Sequence, residues 1–298
     1  MITSYGLNAA LAMAALLLVT GLWCRSQKIG YGPFIRLCSL GLPLAFITSR
    51  LFFALCALGS RDVFSSPVQM LYFWDGGASI TGACLGLMLS AVIVGKVCRV
   101  SCGTLLDGIA LGAPAALIIE RLSEPAFELG IGRYVDTDFL YFLGSATDGR
   151  HPVYLYEAVI AGLILLTLCL MLIRRKGVKH PGDVLLTFMT LYGCTQTLME
   201  SLRDDGHMVI YFIRINQIAS LAMAATAFII WTVRWCKKGA KKPHVILACV
   251  LATAAVAQGV VQEFAVDSNP NLLLEYGIMA LCLAVIAALA LMIRRKAE

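Results

Sequence analysis

The ionisable residues that could support chemistry are concentrated where an apolar segment of this chain ends. The fourteen residues from Glu120 to Arg133 contain three glutamates and two arginines, and they follow an apolar run from Gly108 to Ile119. An ionisable residue at membrane depth is costly unless it is paired or lines a wet cavity, so it marks a candidate functional site. On this segment alone, an equally good interpretation is a helix end from which Arg121 and Glu128 reach headgroup water. The polar residues in other apolar segments favour a site.

A polar stripe runs along a second apolar segment, close to residue 200. Its four members are spaced by four, four and three positions: Tyr192, Gln196, Glu200 and Arg203. This spacing places them on one face of a helix. A polar stripe on a membrane helix must face the bundle interior or an aqueous cleft. The simpler alternative is a Glu200–Arg203 pair that stabilises a helix end, but four polar residues in register favour a lined cavity.

Further polar residues lie in other apolar segments or at their ends. Glu157 lies near the start of one segment, and Arg50, Asn216 and Gln217 lie in two others. A single interfacial histidine such as His151 is more often a solvated or capping residue than an acid–base group. Arginine suits phosphate through its planar fork, and a glutamate in a cleft can act as an acid or a base. Together these residues predict one polar cleft whose ligand is an anionic amphiphile such as a phospholipid.

The composition shows which elements must position these residues. The chain has 298 residues, of which 59% are hydrophobic and 14% are charged. Soluble domains average about 45–50% apolar and about 25% charged residues, so this composition is typical of an integral membrane protein. Apolar runs of about 20 residues recur along the chain and predict helices rather than strands. The first run, Leu7 to Trp23, has no basic segment before it and no cleavage site after it, and we interpret it as a retained span.

We predict nine spans, at residues 7–23, 34–58, 77–95, 103–121, 153–173, 183–202, 211–233, 244–262 and 272–293. A basic cluster follows every odd-numbered span, so the N-terminus is expected outside and the C-terminus inside. This alternation explains the net charge of +6 without any nucleic-acid partner. The polar cleft and the longest connection, residues 122–150, are then expected on the outer side.

The eleven cysteines lie within apolar runs or at the basic span ends that we place inside. Buried cysteine behaves as a small apolar residue, so no disulfide is predicted. No cysteine spacing is typical of a zinc or iron–sulfur site, and no metal site is predicted.

At these residues the sequence resembles the prolipoprotein diacylglyceryl transferase family. Arg150-His151-Pro152 with Leu155-Tyr156-Glu157 is similar to the family's Arg-His-Pro-Ser-Gln-Leu-Tyr-Glu and is the most specific match. The other similar segments are Tyr5-Gly6, Thr48 to Leu51 around Arg50, Gly76 to Ser79, Leu105 to Asp107, Pro181-Gly182, and Tyr192-Gly193 with Glu200 and Arg203. The resemblance covers about residues 3–233. It implies a seven-span transferase-like domain at 1–235 and a C-terminal two-span extension at 236–298.

The chain departs from the family's pattern at several positions. The family's signature is Gly-Arg-x-Gly-Asn-Phe-x-Asn-x-Glu-x-x-Gly-Arg, of which this chain keeps Arg121, Glu128 (shifted by one residue) and Gly132-Arg133. Three replacements concern expected functional residues: Thr81 for a histidine, Glu124 for an asparagine and Gln196 for a second arginine. A carboxylate at Glu124 would repel a phospholipid phosphate unless it is protonated or paired.

The resemblance implies transfer of diacylglycerol from phosphatidylglycerol to the lipobox cysteine thiol of exported preproteins, outside the bacterial cytoplasmic (inner) membrane. No metal or cofactor is implied. Arg121 and Arg50 would hold the headgroup phosphate with help from Gln196. Because thiolate is the nucleophile, Glu128, Glu200 or His151 would aid its deprotonation.

Other residues would position the substrates. The glycerol would be oriented by Tyr5, Tyr156 and Tyr192, and the remaining expected substrate-binding residues are Gly77, Gly132, Glu157 and Arg203. An alternative, motivated by Thr81, Glu124 and Gln196, is a family member that binds lipid or peptide without chemistry. A transporter is a weaker alternative, because the polar residues cluster at one end of the spans and the sequence shows no inverted repeat.

Overall fold

A computed structural model describes residues 4–57, 68, 72, 77–134, 149–174, 180–204, 209–210, 213–266 and 271–297, with the side chains of a few residues at the edges of these ranges left out. The α-helices of this part are α1 (Ser4–Ser26), α2 (Tyr31–Ala57), α3 (Ile80–Cys98), α4 (Cys102–Ser123), α5 (Val153–Arg174), α6 (Asp183–Leu202), α7 (Ile215–Lys237), α8 (Lys242–Val266) and α9 (Leu272–Ala297). A 3-10 helix spans Glu124–Phe127, and the strands are β1 (Ile131–Tyr134), β2 (Arg150–Pro152), β3 (Val209–Ile210) and β4 (Ile213–Arg214).

The nine helices lie at the positions of the nine predicted spans, and eight of them are long and apolar enough to cross a membrane. The prediction of an all-α polytopic membrane protein is therefore confirmed. The remaining helix is α6, which is 20 residues long and has 14 buried residues. It packs against α4, α5, α7 and α9. Because protein rather than lipid surrounds α6, this helix can carry the polar stripe that lowers its hydropathy.

Small residues allow α2 and α3 to form a close pair. A Cβ atom at Gly86 would lie 2.6 Å from the carbonyl oxygen of Leu44, and one at Gly82 would lie 2.7 Å from the Cβ of Phe52. The hydroxyl of Thr48 donates to the carbonyl oxygen of Gly82 at 2.7 Å. Glycines four residues apart let membrane helices approach closely. The pair thus fixes the second half of α2, which carries Arg50.

A buried carboxylate fixes the N-terminal end of α6. The two carboxylate oxygens of Asp107 accept from the backbone N–H groups of Gly182 at 2.8 Å and Leu185 at 2.9 Å. The first N–H groups of a helix have no partner within that helix, so Asp107 satisfies two of them from α4. Asp183 in the same turn pairs with Arg234 of α7 at 2.6 Å. Asp107 therefore caps α6 from the neighbouring helix α4.

The helices beyond residue 237 are attached to this core by polar contacts at both ends of α6. The Tyr276 hydroxyl donates to the carbonyl oxygen of Ser201 at 3.0 Å, and Arg294 Nη1 donates to the hydroxyl of Thr187 at 2.9 Å. α9 is therefore antiparallel to α6. The Gln217 side chain near the start of α7 donates to Glu263 near the end of α8 at 2.8 Å. The ends of α6 and α8 thus lie with the starts of α7 and α9, at what we call the site end of the bundle.

Candidate active site

Two arginines and two glutamates form a closed ring at the site end, which we call the ion-pair ring. Arg121 pairs with Glu124 through Nη1, and its Nε lies 3.0 Å from Glu157 Oε2. Arg203 completes the ring, with Nη1 at 2.5 Å from Glu157 Oε2 and Nη2 at 2.9 Å from Glu124 Oε2. Each arginine thus contacts both carboxylates, and each carboxylate contacts both arginines.

Gln196 and Glu200 extend the ring on the face of α6. Gln196 Nε2 donates to Glu157 Oε1 at 2.7 Å and to Glu200 Oε1 at 3.2 Å. The six side chains belong to buried residues, none more than 8% exposed. They comprise two arginines and three glutamates, a formal charge of −1 when all are ionised. Removing one partner of a buried ion pair costs about 3–5 kcal/mol because it leaves an uncompensated charge, so the ring members depend on one another.

Three helix ends place the ring. Arg121 lies in the last turn of α4, and Glu157 lies near the start of α5. Arg203 is the C-terminal cap of α6, with extended backbone at φ −66° and ψ 145°. Glu124 is supplied by the 3-10 helix that directly continues α4, where Pro125 at the start suits the fixed φ of that position. Each charge is therefore carried on a rigid element.

The chain then turns back across the ring. Glu128, the residue after the 3-10 helix, has φ +58°, and Gly130 has φ +75°, the left-handed conformation that glycine tolerates best. The carbonyl oxygen of Gly130 accepts from the N–H of Tyr154 at 2.9 Å. Gly132 forms an isolated antiparallel bridge with Arg203. These contacts hold β1 directly beside the ring.

Gly132 has no space for a side chain. A Cβ atom there would lie 2.6 Å from Val153 Cγ2 and 2.8 Å from the carbonyl oxygen of Leu202. β1 pairs antiparallel with β2, with Ile131 opposite Pro152 and Tyr134 opposite Arg150. The two strands therefore cover the ring, and the absent side chain lets this cover approach the end of α6.

Charged residues that the sequence analysis did not single out surround this cover. Asp204 accepts a salt bridge from Arg150, and its N–H donates to the carbonyl oxygen of Ile131 at 3.0 Å. Arg214 Nη2 donates to the carbonyl oxygen of Arg203 at 2.6 Å. Asp204 directly follows the polar stripe of α6, and this proximity is the only signal that could have identified it.

Arg50 and Gly77 form a second group. Arg50 is buried, its Nη1 donates to the carbonyl oxygen of Gly77 at 3.0 Å, and its guanidinium lies 5.6 Å from the centre of the Phe53 ring. Gly77 has φ +73°, and a Cβ atom there would lie 2.8 Å from Arg50 Nη1. The glycine thus leaves room for the guanidinium at the start of the segment that leads into α3.

The aromatic candidates make pairs. His151 Nδ1 lies 3.2 Å from the hydroxyl of Tyr156, and both residues are partly buried beside the start of α5. Tyr192 stacks on Phe188 one turn before it in α6, with ring centres 5.2 Å apart. Tyr5 lies in the first turns of α1, but its side chain is outside the part of the chain that the structure describes.

The structure brings five predicted residues into one cluster: Arg121, Glu157, Gln196, Glu200 and Arg203. The sixth member, Glu124, was expected only as a departure from a pattern, and its spacing of three from Arg121 is the signal for their pairing. Glu128 is exposed at the end of the 3-10 helix and does not belong to the cluster. Residues 135–148 of the long connection lie outside the described residues.

The donor set determines what the cluster can bind. The planar guanidinium groups of Arg121 and Arg203 present paired N–H donors, which match the oxygens of a carboxylate or a phosphate. The guanidinium groups of the ring already donate to Glu124 and Glu157. Of these two carboxylates, Glu124 is the more easily replaced by an incoming anion, because Glu157 also accepts from Gln196.

The sequence model of one protein family, described as prolipoprotein diacylglyceryl transferase, matches residues 1–233. A phosphatidylglycerol–prolipoprotein diacylglyceryl transferase of Bacillus velezensis is 28% identical over 244 residues, which cover 75% of this chain and 86% of that protein. A protein of the same name from Brucella ovis is 30% identical over 149 residues, 49% of this chain and 53% of that relative. α8 and α9 lie beyond the matched family region.

Proposed function

This chain belongs to the prolipoprotein diacylglyceryl transferase family, and we propose that the ion-pair ring with Gln196 and Glu200 is its catalytic centre. The protein is a membrane transferase that acts on prolipoprotein, with phosphatidylglycerol as the donor named for its relatives. The observation that carries the proposal is the convergence of Arg121, Glu157 and Arg203, from the ends of three different helices, in one buried cluster.

The phosphate of the donor lipid binds at Arg121 by taking the place of Glu124. A phosphate and a carboxylate both accept paired N–H bonds from a guanidinium, so the exchange replaces one charge-assisted pair by another. Arg121 retains Glu157 on its Nε, and Arg203 retains the same carboxylate on Nη1. The ring therefore holds both guanidinium groups in place while one edge is used for substrate.

The reaction exchanges a carbon–oxygen bond for a carbon–sulfur bond. The sulfur of the lipobox cysteine attacks the glyceryl carbon that carries the phosphate, and glycerol phosphate leaves with the bonding electron pair. The thiol proton passes to Glu200, because this is the one carboxylate of the cluster that is not part of the ring. The positive charge at Arg121 stabilises the phosphate as it gains charge on leaving.

The other candidates bind and orient the lipid in this proposal. Arg50, which α2 holds beside Gly77, supplies a further positive charge for the lipid headgroup. Tyr156, with His151 on its hydroxyl, and Tyr192 orient the glycerol. Tyr5 completes this group in the proposal, and Gly132 allows β1 to cover the bound substrates.

The catalytic centre faces the outside of the bacterial cytoplasmic membrane in this proposal. Basic clusters follow the odd-numbered helices, and the positive-inside rule then puts the site end outside. Residues 1–235 form the transferase domain and 236–298 a two-helix extension, a division supported by the end of the family match at residue 233. A lipobox preprotein is the acceptor.

The test is transfer of labelled diacylglycerol from phosphatidylglycerol to a lipobox peptide by the purified protein, with detection of the thioether by mass spectrometry. Arg121→Ala should lower the rate by about 10²–10³-fold, the loss typical of a removed electrostatic stabiliser. Arg234→Ala is the matched control, because Arg234 also pairs with an acidic residue of the bundle but at the opposite end of α6. Equal rates for Arg121→Ala and the control would contradict the proposal.

One observation favours a second candidate, binding of lipid without transfer. Carboxylates already pair with both guanidinium groups of the ring, as expected for a protein that binds lipid but no longer catalyses transfer. Phosphatidylglycerol binding that depends on Arg121, with no thioether product under the same conditions, would establish this second function.

A further inference from the structure

A cavity of about 130 Å³ lies where α8 and α9 meet α6 and α7. Its floor is buried and apolar, formed by Ala255, Met279, Leu283 and Ile286. An engineered cavity of about 150 Å³ in another protein takes up benzene, so this volume fits several carbon atoms of a chain. The cavity is built by helices beyond the matched family region together with two helices of that region.

The cavity opens towards the lipid-facing surface. Ile218, Val260 and Phe264 line it and are 47%, 44% and 51% exposed. Gly259 also lines it, and a Cβ atom at that position would meet no atom within 4 Å. An acyl chain can therefore enter from the bilayer between α7 and α8, with the rest of its length in the surrounding lipid.

One end of the cavity is polar and presents acceptors. Gln217 is 7% exposed and lines the cavity, as does Glu263. The Gln217 Nε2 group lies 2.8 Å from Glu263 Oε2 and 3.5 Å from the carbonyl oxygen of Thr197. Two acceptors on that side fix the orientation of the amide. Gln217 Oε1 is then the buried acceptor, and it has no hydrogen-bond partner among the described residues.

A buried acceptor without a donor is costly, and a ligand that donates a hydrogen bond removes that cost. We propose that this cavity binds an uncharged glycerolipid with a free hydroxyl group, such as a mono- or diacylglycerol. Its hydroxyl donates to Gln217 Oε1 at the site end, and one acyl chain lies along the floor formed by α8 and α9. The proposal concerns binding at a place separate from the ion-pair ring and does not depend on the transfer reaction.

The charges of the cavity select this class of lipid. A carboxylate at Glu263 repels a phosphate or a fatty-acid carboxylate at short range, and among the described residues no arginine or lysine lines the cavity to offset that repulsion. A glyceryl hydroxyl supplies the missing donor without a charge. A fatty-acid methyl ester has the same chain but no donor, so it cannot satisfy Gln217.

The experiment uses the full-length protein in phosphatidylcholine nanodiscs and a monoacylglycerol that carries a diazirine at the end of its acyl chain. After irradiation, mass spectrometry should locate the label on peptides of α8 and α9 that line the cavity. Unlabelled monooleoylglycerol should reduce this labelling at least fivefold, whereas methyl oleate and oleate at the same concentration should reduce it less than twofold.

A matched pair of variants tests the location. Gly259→Leu fills the cavity and should lower labelling at least fivefold. Gly277→Leu makes the same change at an exposed glycine of α9 that also has open space but does not line the cavity, and it should leave labelling within twofold of the wild type. Gln217→Leu should remove the preference for monooleoylglycerol over methyl oleate. Equal competition by methyl oleate in the wild type, or unchanged labelling in Gly259→Leu, would overturn the proposal.

Discussion

Substituting Glu124 by glutamine should tighten phosphatidylglycerol binding while destabilising the free protein. In the proposed mechanism the lipid phosphate replaces Glu124 at Arg121, so part of the binding free energy is spent on breaking that pair. A hydrogen bond to a charged group contributes about 1.5–3 kcal/mol. Because 1.4 kcal/mol corresponds to a tenfold change, the dissociation constant of Glu124→Gln should fall by about 10- to 100-fold.

The same substitution weakens the free ring, because Glu124 accepts from both Arg121 and Arg203. The two arginines retain Glu157, and the amide oxygen of glutamine still accepts one bond, so the loss of stability should be about 1–3 kcal/mol. The cluster would then carry no net formal charge, which also favours the approach of a phosphate. Binding and stability should therefore change in opposite directions.

The assay is titration of the detergent-purified protein with phosphatidylglycerol, combined with its unfolding temperature in the absence of lipid. Glu128→Gln is the matched control, since it removes the same charge four residues later from an exposed position outside the ring. Its binding should change by no more than about twofold at physiological salt, where exposed charges are screened. Weaker or unchanged lipid binding in Glu124→Gln would refute the displacement of Glu124 by phosphate.

Two further substitutions test the elements that position the ring. Gly132→Ala should lower transferase activity at least tenfold and also lower the unfolding temperature, because its Cβ atom would press on Val153 and on the carbonyl oxygen of Leu202. Both quantities are measured on the same preparation. Full activity would show that β1 need not approach α6. Asp107→Ala should cost about 1–3 kcal/mol of stability, because two backbone N–H groups at the start of α6 lose their buried acceptor. Denaturant unfolding measures this loss of stability. A loss no larger than that caused by an alanine substitution at an exposed position would contradict the prediction.

The helices themselves were predictable because lipid imposes a simple requirement on the sequence. A chain that crosses a membrane must satisfy its backbone within each helix and present apolar side chains to lipid, so spans appear as apolar runs. The stripe on α6 was predictable for the related reason that polar side chains must face inward. Gln196, Glu200 and Arg203 were predicted to line a polar cavity, and in the structure they face inward and pair within the buried cluster.

The ion-pair partner of each charged residue was not predictable, because it depends on which helix faces meet in the fold. Glu124 looked like an unfavourable replacement beside a phosphate site, and only the position of Arg203 shows that two arginines compensate it. Glu128 was expected to aid deprotonation of the substrate thiol. The left-handed backbone at Glu128 itself turns the chain, and the side chain is exposed. The hydropathy and charge patterns of a sequence do not predict local backbone conformations of this kind.

The buried polar faces of α6 affect how the chain must be assembled during synthesis. Insertion machinery recognises a span by its hydropathy, and α6 is the one helix of the nine that falls short of the others in this respect. Its partners come from both sides in sequence: Asp107 and Arg121 are made before it, and Tyr276 and Arg294 are made last. A ribosome-bound chain that ends before α9 therefore leaves the Thr187 hydroxyl and the Ser201 carbonyl without these C-terminal donors. These two polar contacts of α6 can therefore form only after α9 has been synthesised.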